Sequence, residues 1–91
     1  EVRELTRDIL YDYNLPLDTK GVYVYQVDRA APAGLAGMPI SGIITEVDNQ
    51  PVKNLKSFEQ TINKILKDNP EKIMFRVQVR KTTVFVFVEN K

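Results

Sequence analysis

Between residues 21 and 52 the chain reads GVYVYQVDRAAPAGLAGMPISGIITEVDNQPV, and the change of pattern inside this stretch constrains the fold more than any other feature. Over 22–27, Val22, Val24 and Val27 are set against Tyr23, Tyr25 and Gln26, the period of two that a strand with one buried face requires. Residues 31–36 are small and rich in Ala and Gly, which suits a short helical turn, and 42–47 returns to a strand pattern. Asp48-Asn49 predicts a tight turn into Pro51-Val52. Gly34 and Gly37 are expected at positive φ where the small segment begins and ends. The result is a compact β-turn-β unit around which the rest of the chain must pack.

Before it, residues 1–5 read as the end of a strand. Thr6 then suits a helix N-cap, with Asp8 placed favourably for the helix dipole. That helix runs to about Tyr13, presents Ile9, Leu10 and Tyr13 on one side, and is ended by Leu15-Pro16. After the unit, 54–67 has the clearest helical period, with Leu55, Phe58, Ile62, Ile65 and Leu66 at intervals of three and four. Its start is open between a cap at Asn54 and a capping-box pattern beginning at Ser57. Asp68-Asn69-Pro70 closes it. Residues 73–79 and 84–88 form a hairpin turning near Lys81-Thr82; both faces of the last strand are apolar, so it is expected to be covered on both sides or at least partly sandwiched.

Ninety-one residues support one core, so 1–91 is read as a single domain, a piece of a larger protein because it begins at Glu1. A formal net charge of +1 without single-sign runs argues against nucleic acid or an anionic membrane as the main partner. Absence of histidine removes the commonest general base and zinc ligand, so a catalytic triad is excluded and no catalysis, metal or cofactor is expected. Ser41 and Ser57 suit turn and cap positions. Glu46, Asp48 and Asn49 lack the alternation of a calcium loop. Tyr11, Tyr13, Tyr23 and Tyr25 have no interleaved basic residues, so a sheet face and helix contact is favoured over a base-stacking surface.

The ordered features Gly21-Val22-Tyr23-Val24 to Val27, Ala31-Pro32-Ala33-Gly34-Leu35-Ala36-Gly37, Ile43-Ile44-Thr45-Glu46-Val47 and Pro51-Val52 resemble the signature of PDZ domains of the bacterial, circularly permuted type found in HtrA-like proteases. The resemblance spans about Gly21 to Val88. It implies an α+β fold, a small bent antiparallel sheet or partly open barrel of five or six strands with two to three helices. It also implies a peptide groove between the first strand and the long helix, carried onto Val2, Arg3, Glu4 and Leu5 of the strand and Leu55, Phe58, Glu59 and Ile62 of the helix. The chain departs from the family in three places. No glycine precedes Gly21, where the family holds a terminal carboxylate in a glycine-containing loop. Ser41-Gly42 replaces the family's Gly-Asp, and the hairpin turn 80–83 lacks glycine.

The function so implied is recognition of extended or C-terminal peptides by strand addition. The partners would be a peptide or protein segment and a protease domain of the same parent chain, in a bacterial envelope or periplasm, with no nucleic acid or membrane contact. The alternative is a structural domain that docks within its parent, its groove unused by free peptides.

Overall fold

A computed structural model of the chain describes residues 1–90. Six strands and three helices follow one another as β1 (Val2–Glu4), α1 (Arg7–Asp12), β2 (Val22–Val24), α2 (Pro32–Leu35), β3 (Ile43–Val47), β4 (Gln50–Pro51), α3 (Leu55–Lys67), β5 (Lys72–Val79) and β6 (Thr82–Glu89). All pairings are antiparallel. The strands lie in the order β1-β2-β3-β5-β6, with β4 paired to β3, so the sheet is open and β1 and β6 form its ends.

One face holds the core: Val22, Val24, Met38, Ile44, Val47, Val52, Ile73, Phe75, Val77 and Val86 are buried together. β2 and β5 contribute alternate residues, Val22 and Val24 and then Ile73, Phe75 and Val77, so there the period of two seen in the sequence is the period of burial; in β3 a bulge after Ile44 puts Val47, three residues on, in the same core. The strand beginning at Val22 is shorter than its pattern: β2 stops at Val24, Tyr25 and Gln26 donate their N–H groups to the Glu1 carbonyl, and the Gln26 carbonyl accepts from the Glu1 amino group.

Local chemistry fixes the connections. Thr6 caps α1 by accepting the Ile9 N–H, and Asn14 at φ 55° ends the helix before Pro16 is reached. Asp48 and Asn49 both take positive φ, 48° and 65°, as a two-residue hairpin turn demands. The Asp48 main chain and carboxylate also bond to Met74, tying that turn to β5. At α3 the Asn54 side chain accepts the Ser57 N–H while the Ser57 hydroxyl accepts the Asn54 N–H, so Asn54 is the cap and Ser57 its partner within the helix.

Three expectations need correction. Gly37 has φ +82°, but Gly34 is helical; it is required because a Cβ there would lie 2.1 Å from the Asp28 carbonyl oxygen. Leu66 does not join the stripe of α3 that packs against the core and is 43% exposed. The last strand is covered on one face only. Val86 is buried and Val84 and Val88 pack against the core, whereas Phe85 and Phe87 are 55% and 56% exposed. Their apolar character gave no indication that the outer face would go without a covering layer.

On the outer face of β2, Tyr23 meets Tyr13, the C-cap residue of α1. Leu10 and Ile43 are buried outside the main cluster. The Tyr13, Tyr23 and Ser41 hydroxyls form a triangle with edges of 3.0, 3.1 and 3.2 Å. Tyr13 titrates below and Tyr23 above the ordinary phenol value. Hydrogen bonding to Ser41 lowers both, and in Tyr23 the Tyr13 hydrogen bond, burial and neighbouring charges outweigh it. These tyrosines make the helix and sheet contact expected of them, and Tyr25 lies beneath Arg3. Tyr11 points to solvent.

Candidate peptide groove between strand β1 and helix α3

The direction of the β1 main chain follows from its neighbour. Val24, opposite Val2, gives its N–H to Gly42 and takes the Ser41 N–H, so both of its groups are committed to the β3 side. Val2 therefore faces Val24 as a non-hydrogen-bonded pair, and antiparallel alternation turns the N–H and C=O of Val2 and of Glu4 outward, to the open edge. Arg3, opposite Tyr23, directs its groups inward to β2, as does Glu1, whose carbonyl accepts the Tyr25 N–H at 2.9 Å.

Alongside this edge lies α3, which packs against β1 and β3. None of its residues is fully buried. Leu55, Phe58, Ile62 and Ile65 rest on the core while remaining partly exposed, so one apolar stripe closes the core and lines a surface slot. At one end of the slot, Val2 and Phe58 share a cavity of about 250 Å³ with Val24, Val27, Met38 and Phe75. That is below the roughly 300–1,000 Å³ of a small-molecule pocket and suits a side chain. At the other end, the Glu4 carboxylate accepts the Leu55 N–H and joins strand to helix. That N–H belongs to the first turn of α3, where no intrahelical acceptor exists.

Val2, Glu4, Leu55 and Phe58 thus come together. Ile62 continues the stripe, and Glu59 is on α3 but exposed. Leu5 lies just past the strand, half-buried. Arg3 sits on the opposite face of β1: its guanidinium is 3.5 Å from the Tyr25 ring centroid and pairs with Glu1 at 3.1 Å. Alternation along a strand places it there, apart from the helix.

Sequence reasoning missed the far wall of the cavity: Gln26, Val27, Asp28, Ala31, Ala33 and Met38 line it. The small residues before Gly34 were the available signal, because they let this segment close over the start of β1. Among the described residues no cluster of acidic side chains is arranged to hold a metal ion, and no helix is long and apolar enough to cross a membrane.

No protein-family model and no curated protein matches the chain. Solved structures do. The HtrA3 PDZ domain, solved bound to a phage-derived ligand, FGRWV, superimposes with a TM-score of 0.77 at 15% identity, over 100% of this chain and 80% of that one. The HtrA-type protease AlgW, solved with a decapeptide, matches with a TM-score of 0.79 at 26% identity. That match covers 98% of this chain and 26% of AlgW, so the chain spans about a quarter of that protein's length. With its open six-stranded sheet and the long helix beside the first strand, the chain has the fold of the PDZ domains of HtrA-type proteins and is similar to them over its whole length.

Proposed function

We propose that the slot between β1 and α3 receives an extended peptide as an added antiparallel strand. The observation that carries this is the outward main chain of Val2 and Glu4 beside a partly exposed apolar helix stripe. Main-chain hydrogen bonds to those two residues supply affinity, and the cavity at Val2 and Phe58 selects an apolar side chain. The peptide ligands of the HtrA3 PDZ domain and of AlgW support the reading. The groove residues are Val2, Glu4, Leu5, Leu55, Phe58, Glu59 and Ile62, with Arg3 flanking the ligand from the outer face.

At the level of the parent protein, the same resemblance supports an HtrA-like protease of a bacterial envelope. There the domain delivers substrate, or reports peptide occupancy, to a protease domain elsewhere in the chain.

The test is a titration of isotope-labelled protein with a panel of apolar C-terminal peptides, FGRWV among them, followed residue by residue. Saturable shifts confined to residues 2–5, 55–62 and the cavity wall are expected. Silence across the panel would reject the groove and favour a domain that docks only within its parent.

A further inference from the structure

We propose that Glu4 makes the far end of the groove selective for a cationic side chain. The ligand class is then a peptide with Lys or Arg two residues N-terminal to the one that fills the Val2–Phe58 cavity. This rests on the groove reading above and goes beyond it by assigning the charge of the ligand.

The geometry is that of β1 itself. Every pair in the sheet is antiparallel, and a ligand strand bonded to the free edge pairs with Val2 and Glu4, the two residues whose main chain faces outward. Directly opposed residues of an antiparallel pair have their side chains on the same face, with Cβ atoms about 5 Å apart. The ligand residue opposite Val2 therefore enters the apolar cavity. The residue opposite Glu4, two positions earlier in the ligand, projects beside the Glu4 carboxylate and Leu55. The residue between them turns to the other face, where Arg3 covers Tyr25.

At the Glu4 position the chain supplies a negative charge that meets the start of α3 but pairs with no cationic side chain among the described residues. One carboxylate oxygen accepts the Leu55 N–H, and the second remains an acceptor. Among the described residues Glu4 has no salt-bridge partner; the two ion pairs, Arg3–Glu1 and Arg76–Glu46, lie elsewhere. Glu59 stands one turn after Leu55 on the same side of α3, exposed and likewise without an ion pair among the described residues. An incoming ammonium or guanidinium group meets the Glu4 carboxylate, and Glu59 adds a second negative charge to the same stretch of helix, whereas an acidic residue meets repulsion.

The experiment uses the peptide AAAFGAWV, with single lysines and then single glutamates scanned through it, against the wild-type chain and Glu4→Gln. The glutamine keeps an oxygen for the Leu55 N–H, so only the charge is removed. At one position the wild type should bind the lysine peptide about fivefold tighter than its glutamate counterpart, the scale of an exposed ion pair. The ratio should fall to about one in Glu4→Gln and shrink in 1 M salt, where the Debye length is about 3 Å. Intact binding with a ratio near one at every position overturns the role of Glu4 and leaves the groove standing. A ratio that persists in Glu4→Gln also overturns it. Binding by no member of the series overturns the groove reading together with this one.

Discussion

β1 and β6 are both terminal strands of one sheet, yet β1 has three residues and β6 has eight. β1 carries Arg3 and Glu4, sits beside a long helix, and has a free main chain at two residues only. β6 has no charge from Thr82 to Val88, pairs with β5 along its full length, and shows Phe85 and Phe87 to solvent. Short, charged edges resist uncontrolled strand pairing, so β1 is restricted in what it accepts. The β5–β6 hairpin gains stability from length, since each buried valine on its inner face adds to one core. If β1 receives a peptide as proposed, recognition and stability lie at opposite ends of the sheet, with α3 packed across the β1 end.

That division can be broken most severely at the hairpin. Val77 is fully buried, and Val77→Ala should cost about 2 kcal/mol, lowering the midpoint of thermal unfolding by about 8–16 °C. Peptide affinity of the still-folded protein should not change. If affinity fell in step with stability, the two ends would not be separable.

Phe58→Ala probes the place where the functions overlap, because Phe58 rests on the core and lines the cavity. It should weaken peptide binding by about fivefold or more, the loss typical of a contact worth over about 1 kcal/mol. Calorimetric titration would show this, and a stability loss without an affinity loss would place Phe58 in the core alone.

A pair of prolines on β1 sharpens the comparison further. Arg3→Pro deletes an N–H that faces β2 and should destabilise the fold by about 1 kcal/mol. Val2→Pro deletes one that faces outward, a position where an edge strand tolerates proline. It should leave chemical denaturation nearly unchanged while reducing peptide affinity by about fivefold. The opposite ranking would show that the direction of the β1 main chain is wrong.

The smallest effect belongs to the exposed face of β6. Phe85→Thr and Phe87→Thr remove cross-strand contacts with Arg76 and Met74, each worth about 0.5 kcal/mol, and should leave peptide binding untouched. A larger loss in denaturant would mean that this face is covered in solution.

Much of this was legible in residue order. The alternation around Val22 and Val24, the stripe of α3, the cap at Thr6 and the turn at Asp48-Asn49 are short-range properties, written within a few residues of where they act, whereas the start of α3 stayed open between Asn54 and Ser57 until the structure gave Asn54 as the cap. The same holds for the family resemblance, since the fold's glycines and small residues recur at fixed intervals. Gly34 shows the limit: its presence was visible, but its reason is a carbonyl six residues earlier, brought close only when the chain folds back.

Sequence by itself determined the elements, their order and the candidate groove positions. Tertiary structure decided which of those positions share one space. It placed Arg3 on the outer face, joined Glu4 to the start of α3 across 51 residues, and built the cavity wall from the segment after β2. It also left Phe85 and Phe87 bare. The physical reason is that periodicity specifies which residues share a face, whereas what lies opposite that face depends on long-range packing that no local pattern encodes.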